Sequence, residues 1–384
     1  MATDKKNKVL NVPHLRFPEF SGEWEKYRLC DVASIVGRIG FRGYTTNDIV
    51  TKGKGAIALS PTNIENNKLT YDKDNTYISF YKYEESPEIM IKQGDVIFVK
   101  TGSTVGKVAY VDKLICKTTL NPQVVVLKDI QCDNYLLSVL MSTNKFQNAI
   151  RKIIVGGAVP TLSQAAMGDI VVTMPQATEQ EKLSKFISLL DDRIATQNKI
   201  IEKLQSLIKG LAAQLTQSGT PNVRLCDCLE CHSSTLQENC VSATGSYPVY
   251  GATGLIGYTN GYAYNGESIL IVKDGSGVGS LSYANDCYSV IGTLNYLTAK
   301  GKYSVLYLYY ALMAFNFTPY ITGMAIPHIY FKDYGKAKVF CPSIENQIRI
   351  ASLLHNIEQK LVVEQNLIIS LSAQKSYLLR MLFI

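Results

Sequence analysis

The chain has 384 residues with 39 Lys and Arg against 32 Asp and Glu, a formal charge of +7, and at roughly 150 residues per domain it is long enough for two domains or more. A hydrophobic share of 46% and a charged share of 18% exclude a disordered chain, and 27 Gly with 12 Pro are too few for collagen-like sequence. Nine Cys in a chain of this length are not a disulfide framework, and the opening MATDKKNKVLNVP has no apolar core of the kind a secretory leader needs, so the expectation is a reducing cytoplasm with free thiols.

Read from the N-terminus, the first strand-like runs are Val96–Val99, Val124–Leu127 and Ile170–Met174, β-branched and bounded by Gly-rich turns. An amphipathic helix is expected near Tyr135–Ile150. From Leu183 onward Ile187, Leu190, Ile194, Gln197, Ile201, Leu204, Ile208 and Leu211 alternate spacings of four and three, which is a coiled-coil seam. Thr178 with Glu181 is expected to form a capping box at its start. Ile269–Val272 and Lys338–Phe340 then read as strands, Ser304–Phe315 as a helix, and Ile350, Leu354, Ile357, Leu361, Glu364, Ile368, Leu371, Lys375 and Leu378 as a second seam, with Ser343 as its cap. Tyr303–Phe331 lacks Asp, Glu, Lys and Arg, but its apolar core Val305–Phe315 is shorter than the roughly 20 residues a membrane span requires.

These elements repeat. The segment opening at Pro342 matches the one at Pro175 at an offset of 167 residues, pairing Gln180 with Gln347, Asp191 with Glu358, Gly156 with Gly323 and Pro160 with Pro327. Further upstream Gly94–Gly106 resembles Gly266–Gly279, Thr119-Leu120-Asn121 resembles Thr293-Leu294-Asn295, and Arg28–Asp31 resembles Arg224–Asp227. The expected architecture is therefore α+β: a first mixed module (1–174), a central helix (175–217), a second module (218–341) and a C-terminal helix (342–384). Two copies related by a pseudo-twofold would pair the helices as an antiparallel coiled coil. The polar intrusions Gln197 and Glu364 would then meet at the seam midpoint and fix its register.

The loops carry the polar chemistry. Arg38, Arg42, Lys52 and Lys54 lie in one Gly-rich stretch, and Lys100, Ser103 and Lys107 follow a strand. Lys273 and Ser276 are the second-module counterparts, beside Tyr258 and Asn260, and Thr161 and His328 follow the repeated prolines. Arg and Lys near Gly turns suit phosphates, while Arg, Asn, Gln, Ser and Thr suit base edges, so these residues are the candidate DNA contacts, with plain solvated surface as the alternative reading of the basic loops. No phosphate-binding loop, H-E-x-x-H pair or amino-methyltransferase motif occurs, so catalysis by this chain is not expected. Cys226, Cys228, Cys231, His232 and Cys240 could hold zinc by residue type, but their spacing fits no usual zinc pattern and buried thiols are the better reading. Asp191-Asp192 is taken as charge on a solvated helix face rather than a metal site.

The N-terminal Pro13-His14-Leu15-Arg16-Phe17-Pro18-Glu19-Phe20-x-Gly22-x-Trp24, the Pro-x-x-x-x-Gln-x-Lys/Arg helix openings at Pro175 and Pro342, and the segment from Tyr247-Pro248-Val249-Tyr250-Gly251 to Gly266-Glu267-Ser268-Ile269-Leu270 resemble the specificity subunit of type I restriction-modification systems. That resemblance implies two target-recognition domains, each reading one half of an asymmetric split DNA site, with the helices acting as a ruler. It also implies docking to two methyltransferase subunits and to restriction/translocase subunits, with S-adenosylmethionine, ATP and Mg2+ on those partners and no cofactor on this chain. The competing expectation is a stand-alone DNA-binding regulator. Residues 1–217 carry 28 basic and 22 acidic side chains and the remainder 11 and 10, while 15 of 24 Tyr fall between Tyr247 and Tyr334. The first module is thus expected to lean on phosphate attraction and the second on aromatic contact.

Overall fold

Apolar β-branched runs flanked by glycine turns favour strands buried on both faces, and they dominate each module of the computed structural model, which describes residues 11–71, 74–157 and 159–383. The leader expectation rests on residues 1–13, of which 1–10 lie outside the described residues. The chain divides into two compact units, residues 1–194 with 370–384, and residues 195–369, so each unit holds one module with parts of both long helices.

In the first unit Ser34–Gly37, Val124–Lys128, Val96–Val99, Val108–Tyr110, Lys68–Leu69 and Ile64–Glu65 lie side by side in that order. A second sheet orders Thr118–Leu120, Gly55–Leu59, Tyr77–Ser79 and Ile49–Val50. Alternation places Val96, Phe98, Val125 and Leu127 toward the helices, and Ile97, Val99, Val124 and Val126 into a second core with Ile57, Leu59 and Ile64. The expected single helix over Tyr135–Ile150 is two, Asn134–Ser142 and Asn144–Ile153. Thr143 is extended between them, because its amide and its hydroxyl both donate to the Leu140 carbonyl and end the first helix.

The second unit repeats the first sheet without its outer two strands: Leu229–Ser233, Leu294–Ala299, Ser268–Val272 and Leu281–Ala284. Its other sheet orders Gly254–Thr259, Tyr247–Gly251, Cys287–Val290 and Tyr264–Asn265. The uncharged stretch is explained by burial: Val305–Met313 is a helix whose Tyr307, Leu308, Tyr310 and Leu312 all sit in the core. Among the described residues no helix is long and apolar enough to cross a membrane.

The seams fold as helices Ala177–Thr216 and Ile344–Leu382. In the first unit Leu183 and Ile187 share a core with Leu378, Leu379 and Leu382, and Asp191 takes Lys375. In the second, Ile208 and Ala212 share a core with Ala351 and Leu354. Residue number rises on one helix as it falls on the other in both units, so the pairing is antiparallel. The first helix starts at Ala177, and the Gln176 carbonyl accepts from the amides of Glu179 and Gln180, so Thr178 lies inside the first turn and is not the expected cap.

The repeated helix openings have a shared mechanical role. Gln180 Nε2 donates to the Pro175 carbonyl (2.8 Å) and its Oε1 accepts the Asp133 amide (2.9 Å). Gln347 does the same with Pro342 (2.9 Å) and Ser304 (3.1 Å). Each glutamine thus ties a long helix to the capped end of its module's helix. The N-terminal motif adds a clamp found in the first unit: Arg16 reaches Glu179 through Nε (2.8 Å) and Nη2 (2.6 Å), with Glu179 1% exposed. That hydrogen-bonded pair raises the Arg16 pKa. Phe17 packs edge-on against Phe186 and Trp24 against Phe383.

Candidate nucleic-acid interface

Each module ends its central strand in a glycine turn, and the two turns superpose bond for bond. After Val99, the Gly106 amide returns to the Val99 carbonyl (3.0 Å) and the Val105 amide to Gly102 (3.1 Å). After Val272, Gly279 returns to Val272 (2.9 Å) and Val278 to Gly275 (3.1 Å). Gly102 and Gly275 have φ of 104° and 99°, a region that side chains rarely enter, so the turn requires glycine there.

A second loop is sewn onto each turn. Val155 and Thr161 exchange both backbone bonds, as Thr322 and His328 do. The Gly102 amide then donates to the Pro160 carbonyl (2.9 Å) and the Leu162 amide to Lys100 (2.8 Å). Gly275 donates to Pro327 (2.8 Å) and Ile329 to Lys273 (3.0 Å). Gly156 and Gly323 both have positive φ, and a Cβ at either would lie 2.7 Å from the Val159 carbonyl oxygen or 2.3 Å from that of Ile326. The bases of both loops are therefore fixed by the same backbone bonds.

This edge gathers Lys100, Ser103, Lys107 and Thr161 in the first module, and Lys273, Ser276 and His328 in the second. Ser103, Lys107 and Ser276 are exposed and the others partly so. Lys273 pairs with its neighbour Asp274 at 3.0 Å. Lys107 donates to the Ile64 carbonyl (3.2 Å). His328 Nδ1 lies 3.1 Å from the Ile326 carbonyl, with its ring against Tyr330. At matching positions the modules share Lys100 with Lys273 and Ser103 with Ser276. They differ at Thr101 and Asp274, Lys107 and Ser280, and Thr161 and His328.

The remaining candidates lie elsewhere. Arg38 is 6% exposed and its guanidinium is occupied by the carbonyls of Leu120 and Arg42 and the Thr119 hydroxyl, so it braces the loop from inside. Burial lowers its pKa. Arg42 pairs with Glu88 at 3.5 Å. Lys52 and Lys54 are exposed on the turn before Gly55–Leu59, in the second sheet of their module. Tyr258 lies in the other sheet of the second module, where it pairs through its backbone with Ser242, and Asn260 is in the bend just after that strand. Gln197, 6% exposed, donates through Nε2 to the Glu364 carboxylate (2.6 Å) and carbonyl (3.1 Å).

Two expectations are corrected. Asp191 is not on a solvated face: Tyr135 Oη donates to it at 2.7 Å and Lys375 pairs with it. Its repeat partner Glu358 is held by Tyr309 (3.2 Å) and Tyr310 (2.7 Å). The tyrosines of the second module are also less available than their number implies, since Tyr288, Tyr307, Tyr309, Tyr310 and Tyr334 are all buried. Among the described residues no three of His, Cys, Asp and Glu gather as a metal-binding group. Cys228 is buried beside Cys341, whose hydrogen bond together with desolvation raises the Cys228 pKa, and His232 stacks on Tyr296.

Residue-by-residue reading of the sequence missed the apolar tips of the sewn loops. Val155 is 67% and Val159 58% exposed in the first module; Met324 is 105% and Ile326 66% exposed in the second. The available signal was the repeat itself, which reads Gly-Gly-Ala-Val-Pro at 156–160 and Gly-Met-Ala-Ile-Pro at 323–327.

Comparison with known proteins gives one answer. A family model described as the type I restriction modification DNA specificity domain matches residues 21–206 and again 222–373. The type I restriction enzyme MjaVIII specificity subunit of Methanocaldococcus jannaschii is 25% identical over 209 residues, 53% of this chain and 44% of that protein. The EcoprrI specificity subunit of Escherichia coli is 27% identical over 112 residues, 29% of this chain and 28% of that one. The matched segments thus span less than half of either relative. Among solved structures, the S subunit of a type I system from M. genitalium aligns with 97% of this chain and 99% of its own, at a TM-score of 0.65 and 16% identity. A chain from a structure on complex assembly and conformational transition of the type I system aligns with 94% of this chain and 97% of its own, at a TM-score of 0.52 and 16% identity.

Proposed function

The chain belongs to the family of type I restriction modification DNA specificity domains, and from that premise we propose that it is the sequence-reading subunit of a type I restriction-modification complex. Each module reads one half of a bipartite, asymmetric DNA site through its sewn loop edge. The observation that carries this is the pair of edges with the same backbone bonds and different side chains. Lys100 and Lys273, with Ser103 and Ser276, are common to both and suit phosphate, which looks the same at every half-site. Thr161 against His328, and Lys107 against Ser280, differ and suit base edges, which do not. Tyr258, Asn260, Lys52, Lys54 and Arg42 are assigned auxiliary contacts away from that edge.

In this reading the chain supplies no catalysis of its own. Methyltransferase subunits bring S-adenosylmethionine, restriction/translocase subunits bring ATP and Mg2+, and the complex works in the cytoplasm. The Gln197–Glu364 pair sets the register of the helices that present the two modules. The stand-alone regulator is not favoured, because the family match covers both modules. The test is co-purification with a methyltransferase subunit, followed by methylome sequencing of cells carrying a chimera with residues 1–174 taken from a homologue. One half-site is expected to change. No complex, or a change in both half-sites, sinks the proposal.

A further inference from the structure

Two modules that read different half-sites have no reason to share a reading surface, yet the sewn loops share one. Gly156 and Gly323, and Pro160 and Pro327, hold the same bends, and between them each loop lifts a branched aliphatic side chain into solvent at the same position: Val159 at 58% exposure and Ile326 at 66%. Met324, two residues before Ile326, is fully exposed, and Val155, paired with Thr161 at the base of its loop, is 67% exposed. Residues 154–161 and 321–328 contain no charged side chain. Covering such side chains is favourable, in proportion to the apolar area removed from water. Backbone bonds to Gly102 and Lys100, and to Gly275 and Lys273, fix the loops on the turns that carry Ser103 and Ser276.

We propose that Val159 and Ile326 make a shared apolar contact with DNA, against deoxyribose and base-step faces, that anchors both modules without reading sequence. This rests on the DNA-reading function above and divides its labour. An apolar side chain has no donor or acceptor with which to tell base pairs apart in the minor groove, and it can pack on or wedge into any step. Its repetition in both modules fits a contact required at every half-site, whereas Thr161 and His328, which differ immediately after the prolines, fit discrimination. Continuity with the Lys and Ser turn decides for DNA over a protein partner.

The test uses the full complex with its methyltransferase subunits, carrying Val159→Ser, Ile326→Ser or both, with Leu189→Ser, an exposed apolar residue on the central helix, as a control. Burying a Val or Ile side chain is worth on the order of tenfold in affinity, so each single change is expected to weaken binding to the cognate duplex about tenfold. Binding to a non-cognate duplex of equal length should fall by the same factor, and the methylated sequence should stay the same. Unchanged DNA affinity overturns the proposal. So does loss of methyltransferase subunits on gel filtration, which would make the loops a protein-docking site. A changed base preference in one half-site overturns it too, making them readers. Failure of the unsubstituted complex to prefer any bipartite site would instead strike the function proposed above.

Discussion

The two modules share a loop-bearing sheet but fill the space behind it differently. In the first, Ile57, Leu59, Ile64, Val99, Val124 and Val126 form an aliphatic core. In the second, Tyr288 sits at the centre, 5.9 Å from Tyr250, 5.8 Å from Tyr264 and 6.2 Å from Tyr296 by ring centroids, and its hydroxyl bonds Ser268. The first also carries two extra outer strands on the loop-bearing sheet. What survives is the set of backbone bonds around Gly102 and Gly275, Gly156 and Gly323, and the glutamines Gln180 and Gln347. Core volume can be met by many side chains. A positive φ or a buried amide acceptor can be met by few.

Several substitutions would break or sharpen that comparison. The largest effect is expected from Arg16→Ala, which leaves the buried Glu179 carboxylate without its partner and should cost about 3–5 kcal/mol. Calorimetry or denaturant unfolding should show the loss in the transition of the first unit, and an equal loss in both would deny that the clamp is local. Gln347→Ala strips the Ser304 amide and Pro342 carbonyl of their partner at a site 2% exposed, for about 1–3 kcal/mol. Gln180→Ala should cost less, since Gln180 is only half-buried; an inverted order would mean the two staples are not equivalent.

The loop edge gives the smaller effects. His328→Thr, which writes the first module's residue into the second, is expected to shift base preference in one half-site by about 1–3 kcal/mol, readable from competition among randomised duplexes. A uniform loss across all sequences would place His328 on phosphate instead. Lys100→Ala and Lys273→Ala should each lower the slope of log affinity against log salt by about one without altering the methylated motif. An unchanged slope would remove either lysine from the phosphate contacts.

Much of this was legible in the chain. The 167-residue offset gave the order of elements, and the heptad pattern gave both helices and the meeting of Gln197 with Glu364, because a spacing of four and three can bury only one face. Gly156 and Gly323 stood out by repeating at the same offset, and the structure supplies the reason, since a Cβ at either would meet a backbone carbonyl. Other features were not legible. Arg38 reads as a loop arginine until Leu120, Thr119 and Arg42 are seen around its guanidinium. Asp191 reads as surface charge until Tyr135 and Lys375 close on it from distant parts of the chain. Tyr288 and Tyr310 count among many tyrosines until burial separates them from exposed Tyr262 and Tyr330.

The sequence by itself therefore determined the repeat, the two long helices and the glycine turns, since periodicity and the absence of a Cβ act within one element or between copies. Only the tertiary structure decided which loops are sewn together and which charges are covered. A backbone bond such as Leu162 to Lys100 depends on two segments far apart in the chain and leaves no mark on the identity of the residue that donates it.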